Sequence, residues 1–188
     1  AMVGEPSGLI PMIAGESASS TIAGYIFNTL IKYDRNLDLE GELVKSWDIS
    51  RDQKIITFHL KPELKWADGV PLTSEDALFT WQLVTDEHTR TPYGSDFKLV
   101  VKAEAPDPLT FRVSYSQPYA PALDSWAGLQ ILPKHLLQGQ DINATAFARK
   151  PVGSHYYKLD DWRNGEQISL VRNPLATQGP AHIDRIVT

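Results

Sequence analysis

The 188-residue chain contains no cysteine. This absence excludes a disulfide framework, a cysteine-based zinc site and a thiol nucleophile. The histidines are far apart and show neither H-x3-H nor H-E-x-x-H spacing; they are His59, His88, His135, His155 and His182. No metal site built from protein side chains is therefore predicted.

Long apolar runs and an excess of basic residues are also missing. No stretch approaches the roughly 18 apolar residues of a membrane span. Residues Ala1–Ser20 lack the basic start and continuous apolar core of a signal peptide, so we expect any export signal to be absent from this chain. The net charge of −5, with scattered lysines and arginines, predicts no nucleic-acid partner.

Two catalytic motifs are absent as well. The chain has no glycine-rich phosphate loop and no G-x-S-x-G, so nucleotide binding and serine hydrolase chemistry lack support. What it does have is 42% apolar and 22% charged residues, which is ordinary for a soluble globular protein with a real core. The 10% aromatic content suits both cores and ligand clefts, so composition leaves function open.

Periodicity predicts the elements of the first half of the chain. Apolar residues at helical spacing indicate a helix over Ser17–Lys32, followed by a polar turn region over Tyr33–Gly41. The β-branched and aromatic run Lys54–Leu60 predicts a strand paired with residues near Trp47–Ile49.

A turn and a helix start form the clearest local pattern. Glycine and proline in Lys65–Pro71 require a turn. Thr73 then begins a helix, because its hydroxyl and the carboxylate of Asp76 have the spacing of a capping box. Asp68, in the turn, and Asp76, at the cap, have local hydrogen-bonding roles that argue against a catalytic carboxylate set with Glu75.

The second half alternates strand patterns with turns. Two hairpins are predicted, together with two short helices over Tyr119–Ala127 and Pro133–Leu137. The hairpin strands are Val100–Glu104 with Leu109–Tyr115, and Tyr156–Trp162 with Gln167–Arg172. The last residues, Ile183–Thr188, have the pattern of a strand that is left unpaired, so we expect the chain to be a piece of a longer protein.

The order of these motifs is similar to that of the bacterial extracellular solute-binding proteins of family 5, the oligopeptide, dipeptide and nickel type. The most specific similarity is the block D-G-x-P-x-T-x-E-D within Lys65–Asp76. Weaker similarities extend over nearly the whole chain: Phe27–Leu30, Leu43–Asp48, Thr57–Lys61, Thr110–Val113, Ile131–Leu136 and Trp162–Pro174. The chain departs from the family pattern at Ser154–Tyr157 and at Leu175–Ala176.

This resemblance implies an α/β (mixed α+β) fold like that of the type II periplasmic binding proteins. The chain would hold the N-terminal part of lobe I, with residues 1–50 as its first segment and residues 151–188 as its returning segment. Residues 51–150 would form an inserted α+β subdomain. Because chains of this family are much longer, the opposing lobe would lie outside this sequence.

The resemblance also implies a binding function without catalysis or cofactor. The expected role is solute capture for an ABC-type importer, with short peptides as ligands held between two lobes. A binder of nickel chelates or oligosaccharides is one alternative, and a carbohydrate-active enzyme is another. The expected partner is the membrane permease. The protein is expected to be a monomer in the periplasm or outside the cell, either free or lipid-anchored.

The same resemblance points to residues that would contact the ligand. Gly15, Glu16 and Ser17 match a loop that reaches the cleft, and a helix N-terminus there would favour an anionic group. Tyr93 matches an aromatic residue that contacts bound peptide, and Phe97 follows it as a second candidate.

Trp126 is a further candidate for the cleft wall, although large aromatic side chains more often belong to the core. Trp47, Trp66 and Trp81 lie inside structural motifs, so we expect them to serve packing. His155 replaces a small residue of the family pattern, and we expect it to be exposed to solvent without a specific role.

Overall fold

The computed structural model describes residues 6–13 and 17–188. Its helices are α1 (Ser17–Ile26), α2 (Ser74–Thr85), α3 (Ala122–Gly128) and α4 (Lys134–Leu137), with 3-10 helices at Tyr93–Phe97 and Ala146–Arg149. Its strands are β1 (Ile31–Tyr33), β2 (Leu39–Gly41), β3 (Val44–Ile49), β4 (Ile55–Leu60), β5 (Val100–Asp107), β6 (Thr110–Tyr115), β7 (Tyr157–Arg163), β8 (Gln167–Arg172) and β9 (Arg185–Val187). In this part of the chain no helix is long and apolar enough to cross a membrane.

The first helix is shorter than the sequence predicts. It ends at Ile26 instead of Lys32, and Ile31–Tyr33 forms β1, which pairs with β2 across the region expected to be only a turn. Contacts from elsewhere cause the change: the Thr29 amide donates to the Glu42 carboxylate at 2.6 Å, and the Leu30 carbonyl accepts the Glu42 amide at 3.0 Å. Tertiary hydrogen bonds here outweigh helical propensity.

The turn and the capped helix form as predicted. Gly69 has φ +90°, a conformation that L side chains rarely adopt. The Thr73 amide donates to Asp76 Oδ2 at 2.9 Å, and Asp76 Oδ1 accepts the Lys134 amide, also at 2.9 Å. One buried carboxylate therefore joins the start of α2 to the start of α4, and burial raises its pKa.

A four-stranded antiparallel sheet in the order β3-β4-β6-β5 includes the first predicted hairpin. Alternating side chains of β4 and β6, such as Phe58 and Phe111, are buried on one face. Helix α2 packs against β5 and β6. Since β3 pairs with β4, this sheet begins upstream of the predicted boundary at residue 50.

The second predicted hairpin forms a three-stranded sheet in the order β7-β8-β9. The expectation of an unpaired last strand is wrong, because β9 pairs antiparallel with β8, with Leu170 opposite Ile186. Helix α1 packs against β7.

The returning chain docks directly beneath the C-terminal end of α1. A Cβ atom on Gly153 would lie 1.9 Å from the Ile26 carbonyl oxygen, so only glycine fits there. The amides of Ser154 and His155 both donate to that carbonyl at 3.0 Å. This contact brings the departing segment Ser154–Tyr157 against the first helix.

Candidate functional site

A cavity of about 270 Å³ lies where the N-terminal segment, α1 and the first 3-10 helix meet. We call it the Tyr93 cavity. Its walls include Met12, Ser20 of α1, Thr29, Tyr93 and residues 127–130. None of the described residues that line it carries a charge. The described part of its lining is therefore neutral and contains one large aromatic ring.

A larger groove of about 680 Å³ lies between residues 149–152 and β7. The Arg149 guanidinium lies 4.1 Å from the centre of the Trp162 ring and covers it. Asp160 accepts hydrogen bonds from Arg185 and from Ser169. Arg149 and Asp160 of this groove thus already have partners within the chain.

Tyr93 begins a short 3-10 helix whose other end is anchored in the core. Its side chain is 40% exposed, whereas Phe97 in the same helix is 2% exposed. Phe97 meets Trp126 edge-on, with ring centres 4.9 Å apart. The buried ring therefore fixes the helix that presents Tyr93 to the cavity.

Trp126 lies in the core beneath the cavity. It is fully buried, its ring meets the edges of Phe58 and Phe111, and its indole Nε1 donates to the Tyr115 hydroxyl at 2.9 Å. Burial raises the pKa of Tyr115 to about 12. Neither Trp126 nor Phe97 lines the Tyr93 cavity, so direct ligand contact by either stays a prediction that this geometry does not favour.

The remaining predicted residues flank α1. Gly15 and Glu16 lie outside the described residues. Ser17 is the exposed first residue of α1, and Ser20, one turn later, lines the cavity. The N-terminal half of α1 therefore borders the same concave surface as Tyr93.

The cavity floor is a short segment, Asn28–Leu30, that we call the Thr29 strap. Thr29 forms a β-bridge with Gln130, and the Asn28 carbonyl accepts the Ile131 amide at 2.8 Å. On its other side, the Thr29 carbonyl accepts the Leu43 amide at 3.2 Å. The strap is therefore held between two other parts of the chain.

Glu42 binds the strap through its buried side chain. This residue was not identified from the sequence. The residue is 5% exposed, and its Oε2 accepts from the Thr29 amide at 2.6 Å. The Thr29 hydroxyl lies 2.9 Å from the same oxygen and 2.6 Å from the Ile31 carbonyl oxygen, so these two oxygens share its one proton. Oε1 of Glu42 accepts from Gln178 at 2.9 Å. The sequence gives one indication that Glu42 is buried: its carboxylate comes directly before the apolar pair Leu43–Val44.

The expectation that His155 is exposed and without a role is wrong. Its side chain is 14% exposed, and its ring lies 4.4 Å from that of Tyr156. Nδ1 lies 2.7 Å from the Gly24 carbonyl oxygen, and Nε2 lies 3.5 Å from Glu42 Oε1. Burial lowers the pKa of His155, and the Glu42 charge opposes this in part.

One departing segment, and the residue that follows the other, contact the strap. The Ser154 hydroxyl donates to Asn28 Oδ1 at 2.8 Å, and the Thr177 hydroxyl donates to the same oxygen at 3.1 Å. Ser154 of the first departing segment and Thr177, next to Leu175–Ala176, therefore form one polar cluster around the buried Asn28 side chain.

The acidic residues of the turn and of α2 have structural partners. Asp68 Oδ2 pairs with His135 at 2.8 Å, and Glu75 pairs with Lys134 at 2.7 Å. Together with the Asp76 cap, these contacts account for the acidic block. Among residues 6–13 and 17–188, no three His, Asp or Glu side chains are placed to hold one metal ion.

Comparison with known proteins gives the family. The model of the bacterial extracellular solute-binding proteins, family 5 Middle, matches residues 38–188. This chain belongs to that family. Its mixed α/β fold is that of the type II periplasmic binding proteins, as the resemblance implied.

Three similar proteins illustrate the range of the family. The probable D,D-dipeptide-binding periplasmic protein DdpA of Escherichia coli is 32% identical over 181 residues, covering 90% of this chain and 34% of that protein. The structure of Campylobacter jejuni NikZ with Ni(L-His) has a TM-score of 0.91 at 25% identity and covers 98% of this chain and 37% of NikZ. The structure of Haemophilus influenzae OppA with the peptide RPPGFSPFR has a TM-score of 0.84 at 27% identity. The match covers 97% of this chain and 39% of OppA.

The chain spans only part of these family 5 members. It covers 31% of the length of one curated relative and 35% of another, so it corresponds to about a third of such proteins.

Proposed function

We propose that this family 5 chain forms one wall of the ligand cleft in the substrate-binding component of an ABC-type importer, with short peptides as its ligands. The observation that carries the proposal is the Tyr93 cavity. There an exposed aromatic ring, the N-terminal half of α1 and the Thr29 strap meet on one concave surface.

The chemistry of this wall suits a peptide better than a highly charged solute. A tyrosine ring offers a large rigid face to a side chain or an amide plane and a hydroxyl at its edge. The described lining carries no charge, so these residues leave the charged ends of a peptide to other groups of the cleft. A second lobe closing over the cavity would exclude water and strengthen the few polar contacts that orient the ligand.

The names of the relatives support the same ligand class. DdpA is named as a probable D,D-dipeptide-binding protein, and OppA was solved with a nonapeptide. We further propose that the protein acts as a monomer outside the cytoplasm, delivers its ligand to a membrane permease, needs no cofactor and breaks no bond. Asp68 is paired with His135 and Glu75 with Lys134, and this engagement of both carboxylates argues against a carbohydrate-active enzyme.

A nickel chelate is the second candidate ligand. The observation that favours it is the high structural similarity to NikZ, which was solved with Ni(L-His). Separate titrations with each ligand class distinguish the two.

The decisive experiment is calorimetric titration of the full-length protein with a panel of tripeptides and tetrapeptides and, separately, with Ni²⁺–L-histidine. We expect saturable peptide binding that Tyr93→Ala weakens by about tenfold, since an aromatic contact and its burial contribute about 1.4 kcal/mol or more. Tyr33→Ala is the matched control, because Tyr33 is 46% exposed and is not among the described residues that line the cavity.

Peptide binding that Tyr93→Ala and Tyr33→Ala weaken equally would contradict the proposed wall. Tight binding of Ni²⁺–L-histidine without peptide binding would favour the second candidate. Turnover of a glycan panel would favour an enzyme instead.

A further inference from the structure

A chain of buried polar contacts runs from His155 through Glu42 to the floor of the Tyr93 cavity. The Glu42 side chain is 7% exposed and touches both ends of this chain. Its Oε2 accepts the Thr29 amide at 2.6 Å, and its Oε1 lies 3.5 Å from His155 Nε2. A change at His155 therefore reaches the ligand wall through a single side chain.

The geometry defines which ring nitrogen of His155 carries the proton. Nδ1 lies 2.7 Å from the Gly24 carbonyl oxygen, which can only accept, so the neutral ring is protonated at Nδ1. Nε2 is then an acceptor that faces a carboxylate oxygen, and no hydrogen bond joins them. A second proton on the ring converts Nε2 into a charged donor directed at Glu42.

We propose that Glu42 is a positioning residue for the Tyr93 cavity, and that protonation of His155 weakens ligand binding there by drawing Glu42 away from Thr29. The part of this inference that concerns ligand affinity rests on the proposed function. The part that concerns the proton and the Thr29 strap does not.

Distances show why the two contacts compete. A hydrogen bond between a charged N–H and a carboxylate is usually about 2.7–2.9 Å long, so Nε2 and Oε1 must approach each other by about 0.7 Å. Both oxygens belong to one rigid carboxylate, and the other oxygen already holds Thr29 at 2.6 Å. Because the Gly24 carbonyl holds the other side of the ring at 2.7 Å, we expect Glu42 to make most of the approach, which lengthens the Thr29 bond or moves the strap with its Gln130 bridge.

Charged and polar groups around His155 surround the site where its ring takes up the second proton. Lys32 Nζ lies 3.9 Å from Glu42 Oε1 and opposes a second positive charge, although Glu40 also attracts it at 3.4 Å. The Gln178 side chain donates to Oε1 at 2.9 Å and accepts the Tyr156 hydroxyl at 2.7 Å. Burial, and to a smaller degree the Lys32 charge, lowers the pKa of His155, while Glu42 and the Gly24 carbonyl oppose this in part, so the second proton is taken up on the acid side of the usual histidine range.

Nuclear magnetic resonance tests the link without a ligand. In the 15N-labelled full-length protein, titrated from pH 8 to pH 4.5, we expect the Thr29 amide signal to move with the same midpoint as the His155 ring signals. His155→Gln should abolish this movement. His59→Gln is the matched control, since His59 pairs with Asp48 at 2.8 Å on the sheet surface, and it should leave the movement intact.

Calorimetry with the tripeptide Ala-Ala-Ala tests the effect on binding. Its terminal groups titrate near pH 3.5 and pH 8, at about the model values, so its charge changes little between pH 5 and pH 7. We expect the dissociation constant to rise by about fivefold as the pH falls through the His155 midpoint that the magnetic resonance titration measures, at the low end of typical couplings. The ratio of the dissociation constant at the lower pH to that at pH 7 should fall below about twofold in His155→Gln and stay unchanged in His59→Gln. Glu42→Gln should weaken binding at both pH values and remove the pH dependence.

A Thr29 signal that titrates equally in wild type and in His155→Gln would overturn the inference, whatever the binding result. An equal pH ratio of affinities in those two proteins would overturn its functional part. If Glu42→Gln does not fold, the comparison of His155→Gln with His59→Gln still decides. Failure of every panel ligand to bind would count against the proposed function alone, because the Thr29 titration is read without ligand.

Discussion

Replacing Trp126 by phenylalanine should destabilise this protein without changing the ligand affinity of the molecules that remain folded. Trp126 was a candidate for the cleft wall, but it is fully buried among Phe58, Phe97 and Phe111 and donates to Tyr115. A phenylalanine keeps an aromatic ring in that cage and loses the pyrrole ring with its N–H.

Two contributions set the magnitude. Leaving the buried Tyr115 hydroxyl without the indole donor costs about 1–3 kcal/mol. The smaller ring loses burial and leaves a partly filled space, which costs about 1–2 kcal/mol more. The sum, about 3 kcal/mol, lowers the melting temperature of a chain of this size by roughly 6–12 °C.

The assay combines thermal unfolding with calorimetric binding at a temperature where both proteins are folded. Tyr115→Phe removes only the hydrogen-bond acceptor and should cost about 1–3 kcal/mol. The double variant should cost less than the sum, because each single change already breaks the same hydrogen bond. Strictly additive costs, or a Trp126→Phe protein of normal stability with weakened ligand binding, would refute the assignment of Trp126 to the core.

Three further predictions follow from single positions or from the extent of the chain. Gly153→Ala should prevent folding or lower the free energy of unfolding by about 3 kcal/mol or more, because its Cβ would lie 1.9 Å from the Ile26 carbonyl oxygen. Gly24→Ala is the control: a Cβ there has no neighbour within 4 Å, so thermal unfolding should show stability higher by about 0.5–1 kcal/mol. Stability should fall by about 3 kcal/mol as the pH rises from 10 to about 12, because the folded state holds the Tyr115 proton over that range, and Tyr115→Phe should remove that slope in alkaline unfolding curves. The 188-residue chain by itself should bind peptides at least ~100-fold more weakly than the full-length protein, since one wall buries much less of a ligand than a closed cleft; equal calorimetric affinities would contradict a two-lobed site.

The sequence predicted most of the elements whose signals are local. The capping spacing of Thr73 and Asp76 located the start of α2 because both hydrogen-bonding partners lie within one turn. The β-branched and aromatic run of β4 predicted a strand, and the alternation in β6 predicted a paired one, because a sheet with one buried face imposes a period of two. These patterns depend only on neighbours in sequence.

The failures involve partners that are distant in sequence. Helix α1 stops at Ile26 because Glu42 and Gly153 hold the backbone beyond it, and nothing within Ser17–Lys32 shows this. His155 was expected to be exposed because no pattern links it to Gly24, which lies 131 residues away in the chain. Tyr93 was singled out only through the family resemblance, since exposed tyrosines on loops are common.

The burial of the Glu42 carboxylate is better explained by its role in positioning the Thr29 strap than by a contribution to folding stability. Buried ionic groups contribute little net stabilisation compared with apolar residues of similar volume, because desolvation offsets their attraction. Yet this carboxylate lies directly behind the residue that forms the cavity floor, and its two oxygens fix the Thr29 strap from one side and Gln178 from the other. A leucine in its place could fill the space but could not accept the Thr29 amide. The polar cluster therefore specifies one position of the strap, and that position shapes the wall that a ligand meets.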